Sequence, residues 1–182
     1  MMNDKPALTT ESLTSTPRND QIFCAMPTEL DLIDIRLLEE LQIDADRSNV
    51  ELARVVGLSP AATLHRIRRL KESGTITSIT ARLDWTNAGF PIQVYVAVTL
   101  QRHDDRSHRQ FAEAIRTMPE VISADWVTGE TDALLIVVAR EIAELQRVLV
   151  RLSTRGGATR VITYLRLEEL KAPAPLPLQA AR

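Results

Sequence analysis

The 182-residue sequence predicts an α+β protein: three short helices with a tight turn between the last two, then a βαββαβ unit. Three observations lead there. Apolar residues recur at helical spacing until about residue 73 and largely at alternating spacing after about residue 75, and this change of period marks a domain boundary. Capping residues and glycines punctuate the first stretch at helix-length intervals. Charge is also segregated: the chain carries −2 overall, but residues 1–46 carry −7, residues 47–82 carry +5, and the remainder is neutral.

Residues 1–28 are rich in Thr, Ser, Asn, Asp and Pro and read as a flexible arm. The helical domain is expected over 29–75. Its first helix starts at Asp31, an N-cap residue, with Asp34 in the electropositive first turn and Ile33, Leu37, Leu38 and Leu41 as the buried stripe. The second opens on Ser48-Asn49-Val50-Glu51, a capping box, turns Leu52, Ala53 and Val56 inward, and stops at Gly57. The third takes Ser59 as N-cap and Pro60 at its first position, and ends at Gly74. At 100° per residue Leu64, Ile67 and Leu70 form its dry side; Ala62, His65, Arg66 and Arg69 form the other.

Residues 76–91 read as a wing or linker, with the β-branched run Thr75–Leu83 as a strand. The second domain is expected over 92–171. Val94 to Leu100 alternates as a half-buried strand, followed by a helix capped by Ser107 with Phe111, Ala114, Ile115 and Met118 inside. Val121 to Val127 and the uniformly apolar Ala133 to Ala139 make the next two strands. A helix striped by Ile142, Leu145, Val148, Leu149 and Leu152, and a strand from Val161 to Leu165, complete the unit. This order is the split-βαβ, ferredoxin-like arrangement, with both helices on one sheet face. Tyr95 and Trp126 are expected on the other face. That face is either solvated or covered by a second copy. Residues 172–182 are a proline-rich tail.

Composition excludes several classes of protein. No apolar run is long enough to span a bilayer, and the N-terminus does not read as a secretory signal. The single cysteine, Cys24, has no partner at disulfide or metal-ligand spacing, which fits a reducing cytoplasm. No Ser/His/Asp, Cys/His or metal constellation is present, so no catalytic residue, metal or cofactor is expected.

A helix, a short Gly57-Leu58-Ser59 turn and a second helix make a helix-turn-helix, whose second helix fits the DNA major groove. Ser59 and the helix N-terminus are placed to meet a backbone phosphate, while Ala62, His65, Arg66 and Arg69 face base edges. Arginines that merely solvate an exposed helix are the competing reading. Between the second and third strands, Gly129 permits a tight turn and Asp132 offers a carboxylate suited to an ammonium group.

These residues in combination resemble the Lrp/AsnC, or feast/famine, family of transcriptional regulators over roughly residues 29–171. The carriers are Leu30-Asp31 with Asp34, Ser48-Asn49-Val50-Glu51-Leu52-Ala53, Val56-Gly57-Leu58-Ser59-Pro60 and Arg66-Ile67-Arg68-Arg69-Leu70 with Gly74 and Ile76. Ala81-Arg82-Leu83-Asp84 with Gly89 is similar to the family's linker, and Gly129-x-x-Asp132 to its effector-site loop in the ACT-like RAM domain. The resemblance implies a winged helix-turn-helix joined to a RAM domain, acting on double-stranded DNA in the cytoplasm. It also implies homodimers that assemble further, often to octamers, and a small effector, usually an amino acid. By position, Thr128, Gly129, Glu130, Thr131 and Asp132 are its carried-over contacts.

Three departures stand out. Glu130-Thr131 replaces the family's frequent Asp-aromatic pair, Ser153–Gly157 lacks its usual proline-glycine turn, and the N-terminal arm is longer. The rival functions are a non-specific architectural DNA-binding protein and, with the same two-domain fold, a sirohaem decarboxylase. Only His103 and His108 lie in the second domain, outside any haem-handling motif, so a non-enzyme is expected.

Overall fold

In the computed structural model, residues 29–101 and 104–178 are described; the arm expected over 1–28 lies outside them. The described residues divide into two compact units, one of residues 29–79 joined by 175–178, the other within Thr80–Ala174.

The first unit holds α1 (Leu32–Ile43), α2 (Asn49–Val56) and α3 (Pro60–Glu72). Each begins where a side chain satisfies an otherwise orphan backbone N–H. Asp31 accepts from Asp34 N–H at 2.8 Å. Ser48 and Glu51 form the reciprocal capping box, and Ser59 accepts from Ala62 N–H. Gly57, at φ +69°, ends α2 in the left-handed region that favours glycine. Leu37, Leu52 and Ile67 meet at the centre, flanked by Ile33, Leu41 and Val56. Beyond α3, Ile76 N–H closes on Leu70 carbonyl oxygen. The run expected as a strand over 75–83 carries no ladder. A β-branched segment with no neighbouring strand has nothing to satisfy its backbone groups as a strand.

Two acids of α1 depart from the usual place of charge on a helix. Asp34 is fully buried and Glu40 nearly so. Glu40 is held by Arg36 and Arg47, Asp34 by two arginines of α3. Near the C-terminus, Leu176 N–H donates to Gln42 Oε1 at 2.7 Å, so residues 175–178 return to the helical unit.

The second unit is β1 (Ile92–Leu100), α4 (Asp105–Arg116), β2 (Val121–Trp126), β3 (Ala133–Ala139), α5 (Ile142–Thr154) and β4 (Ala158–Leu165). The four strands form one antiparallel sheet in the order β2-β3-β1-β4. This is the expected βαββαβ architecture. Val94, Val96, Val98, Leu135 and Val137 interlock with Phe111 of α4 and Leu145, Val148 and Leu152 of α5. Burial of these apolar side chains, each contributing about 1.5–3 kcal/mol, is the main stabilising term.

Two local expectations are corrected. Asp104, not Ser107, caps α4, accepting Ser107 N–H at 2.7 Å. Ile142 is 61 % exposed, and Leu145, Val148 and Leu152 make the buried stripe without it.

The opposite sheet face is covered by neither helix. Tyr95 lies there as expected, in register with Ile136 on one side and Tyr164 on the other. Trp126 does not. Its ring stacks 4.7 Å from His108 and 5.6 Å from Phe111, on the helix side. The cause is a register shift between Val121 and Ser123. One extra residue in a strand inverts which side chains face the core, so strict alternation from Val121 misplaces Trp126.

Candidate nucleic-acid interface and effector loop

α3 presents its surface as the capping and the small core dictate. Thr63, Ile67 and Leu70 are its buried residues, and Thr63 satisfies its hydroxyl on Ser59 carbonyl oxygen at 3.1 Å. Leu64, expected inside, is 39 % exposed. The dry side is therefore turned by roughly 30° from the one that hydrophobicity alone suggests. Ala61, His65 and Arg68 are exposed, Ala62 is half-buried, and Ser59 stands exposed at the N-terminus. Ser59 Oγ accepts from Ala62 N–H at 3.2 Å, which leaves the hydroxyl proton available to donate. Asn49 Nδ2 donates to Pro60 carbonyl oxygen at 2.7 Å and fixes the start of α3 against α2.

The same rotation carries Arg66 and Arg69 toward α1. Arg66 donates to Asp31 at 2.6 Å and to Asp34 at 2.9 Å. Arg69 donates to the other Asp34 oxygen. Asp34 is thus a shielded carboxylate with both oxygens occupied, while the Arg66 side chain is only 25 % exposed. The Asp31 carboxyl is held below its ordinary range, first by the Asp34 backbone N–H and then by Arg66. Removing the partners of a buried charge costs about 3–5 kcal/mol, more than the roughly 1–3 kcal/mol that a paired base contact discriminates. Arg66 and Arg69 are thus both engaged by acids of the α1 N-terminus. Arg68 and Lys71 make no ion pair among the described residues. Arg68, part of the run 66–70 that carries the resemblance, is not among the DNA contacts expected from the sequence. What sets it apart from Arg66 and Arg69 in the structure is the pair of acids Asp31 and Asp34, which engage those two arginines.

The loop between β2 and β3 divides into a tip and an anchor. Thr128, Gly129 and Glu130 are exposed, and Gly129 turns the chain at φ +127°, a conformation L side chains rarely adopt. Thr131 and Asp132 are half-buried and bind the end of β1. Thr131 Oγ1 and Asp132 N–H both donate to Val98 carbonyl oxygen, at 2.7 and 2.9 Å. Asp132 Oδ2 accepts Leu100 N–H at 2.7 Å. One carboxylate oxygen expected to meet a ligand ammonium is thus engaged by the backbone, and the five expected residues lie together in one loop.

Family models match both units: an AsnC-type helix-turn-helix domain over residues 30–71 and an Lrp/AsnC ligand binding domain over residues 93–176. A leucine-responsive regulatory protein of Rhizobium meliloti is 36 % identical over 144 residues, spanning 79 % of this chain and 92 % of its own. The chain belongs to the Lrp/AsnC family.

As an Lrp/AsnC transcriptional regulator it carries the family's DNA-binding and ligand-binding domains in the family's order. The leucine-responsive regulatory protein of Escherichia coli K12 is 35 % identical, covering 79 % of this chain and 88 % of its own. Among solved structures, a transcriptional regulator from Neisseria meningitidis in complex with L-methionine is similar, with TM-score 0.75 and 32 % identity. That similarity covers 81 % of this chain and 96 % of the other. An AsnC family regulator from Agrobacterium tumefaciens has TM-score 0.74 and 28 % identity, covering 81 % and 97 %. No helix among the described residues is long and apolar enough to cross a membrane.

Proposed function

We propose that this Lrp/AsnC regulator binds specific double-stranded DNA sites in the cytoplasm through α3, under the control of an amino acid bound at the Thr128–Asp132 loop. The observation that carries the DNA reading is the outer surface of α3. Its N-terminus is capped by Ser59, small residues stand at Ala61 and Ala62, and donors follow at His65 and Arg68. Small residues let the helix approach the groove floor, and donors further along reach base edges. Ser59 meets a phosphate, Ala62 and His65 lie within the groove, and Arg66 and Arg69 add positive potential on the flank nearest α1.

An amino-acid effector is supported by the loop's chemistry, a glycine turn with Glu130 and Asp132, and by the L-methionine complex of the Neisseria relative. The uncovered sheet face, with Tyr95, Leu134 and Tyr164 exposed, supports a homodimer as the functional unit. Two-fold symmetry then matches a palindromic site, and dimers assemble further, as an octamer or another closed ring. The effector acts through different affinities for two assembly states.

The test is selection of DNA from a randomised library, followed by sedimentation with each of the twenty amino acids. A palindromic consensus, and a shift in assembly or in DNA affinity with at least one amino acid, are expected. Equal binding to all sequences with a steep salt dependence would make the protein an architectural binder instead.

A further inference from the structure

Resting on the reading of α3 as the DNA-contacting helix, we infer that its basic residues divide into two sets. Arg68 reads a base, assisted by His65. Arg66 and Arg69 are positioning residues that lock α3 against α1.

The division follows from where each guanidinium is held. Around α3 the buried residues are Thr63, Ile67 and Leu70. At 100° per residue, Ala61 and His65 then point directly away from the core, with Arg68 on one shoulder and Arg69 on the other. The Arg69 shoulder faces α1, where Asp34 takes it. Arg66 lies deeper on the same side and joins Asp31 to Asp34. The Arg68 shoulder has no acid within ion-pair distance among the described residues. Only there is a complete guanidinium fork available for the O6 and N7 of a guanine.

Competition between partners points the same way. For Arg66 and Arg69 to swing into a groove, a wholly shielded carboxylate must lose them both. That penalty, more than about 150-fold in an equilibrium, exceeds the roughly 5- to 150-fold that one paired base contact supplies. Arg68 gives up only water.

A carboxylate clamped from two successive turns of α3 also fixes the rotation of that helix about its own axis. Rotation decides which side chains meet the groove floor, so the clamp acts on DNA affinity without touching a base.

Library selection on the full-length protein separates the roles, using R68A, R66A, R69A and the conservative R66K and R69K. R68A is expected to flatten preference at one guanine-containing position of each half-site, by about tenfold or more, with an unchanged melting temperature. R66A and R69A are expected to lower the melting temperature and weaken all sequences together, keeping the wild-type preference profile. R66K and R69K, which restore an ion pair, should recover affinity. Loss of one base preference in R66A or R69A, with R68A unaltered, would overturn the division while leaving α3 as the reader. A wild-type preference that survives every α3 variant would instead overturn the reading of α3 itself. Should R66A or R69A fail to fold, R68A decides alone: a profile identical to wild type would reject the inference.

Discussion

Asp34 of α1 and Arg69 of α3, 35 positions apart in the chain, form an ion pair across the helical unit in which the carboxylate is wholly hidden from solvent. Arg66 occupies the second oxygen. The arrangement is asymmetric, because Asp34 is sealed whereas the Arg69 side chain is 49 % exposed. Removing the acid leaves cations that water can reach; removing the cations strands a charge that it cannot. The double variant R66A/R69A should therefore lose about 3–5 kcal/mol of stability, and D34N distinctly less. Urea unfolding of the full chain, followed by far-ultraviolet circular dichroism, would check the ranking. Equal losses would mean that contact area, rather than the stranded charge, sets the cost.

The neighbouring Asp31 makes the helical unit sensitive to acid. Its carboxyl is held below the ordinary range, first by the Asp34 backbone N–H and then by Arg66. The unfolded group titrates near about 3.9, and the folded group lower. The contribution is therefore complete above the unfolded value and is lost as pH falls through the folded one. Glu51, lowered by the Ser48 hydroxyl and backbone N–H of its capping box, acts in the same direction. Melting temperature should be flat from pH 7 to about pH 5 in this respect and then fall, less steeply in D31N. Identical acid limbs in D31N and wild type would remove Asp31 from the account.

Most of this architecture was legible in the sequence because its signals are local. The Ser48–Glu51 capping box, Gly57 and the Ser59-Pro60 start place α2 and α3 correctly. The uniformly apolar run of β3 places the second unit's sheet. The misreadings arise where a distant partner decides. Leu64 is the more apolar residue, yet Thr63 is buried, because its hydroxyl bonds within the helix and the crossing with α1 fixes the rotation. That rotation then brings Arg66 to Asp31 and Asp34. The register shift in β2 likewise moves Trp126 to the helix side. Asp104 and Ser107 are both competent caps, and only the position of the first helical turn separates them.

Asp132 can be divided into an anchor and a ligand contact by two substitutions. Its Oδ2 accepts Leu100 N–H, so D132A leaves that donor without its acceptor and should cost about 1–3 kcal/mol. D132N keeps a carbonyl oxygen for the same bond but loses the negative charge that attracts an ammonium group. If the carboxylate meets the effector, D132N should melt near wild type and yet respond to amino acids only at much higher concentration. An unchanged response in D132N would confine Asp132 to anchoring β1.

The α5–β4 turn, where the family's usual proline-glycine pair is missing, depends on Gly156 for space. A methyl group there would stand 2.5 Å from the Leu152 carbonyl oxygen and 2.9 Å from Cδ2 of Phe111. The first neighbour is helix backbone and the second is a fully buried ring at the centre of the core, so neither yields easily. G156A should destabilise the protein by about 1–3 kcal/mol, read by thermal unfolding followed through Trp126, which packs on the same ring. A melting temperature equal to wild type would mean that the turn can move away from Phe111.

The uncovered sheet face gives the last prediction. Tyr95 is flanked in register by Ile136 and Tyr164, while Leu134 and Ile162 stand diagonally from it on the same face. Tyr95, Leu134 and Tyr164 are each between 42 and 55 % exposed, a concentration of apolar surface unusual for a face left in water. Neither α4 nor α5 packs on this face, whose apolar side chains offer a partner sheet a surface to stack on. A charge at its centre would oppose stacking without touching the helix-side core formed by Val94, Val96 and Val98. I136E should therefore sediment as a monomer with native circular dichroism, and wild type as a dimer or larger. Binding to a palindromic site should weaken far more than binding to a half-site, because only the link between two α3 helices is lost. A variant that retains the wild-type sedimentation coefficient would place the dimer contact elsewhere on the molecule.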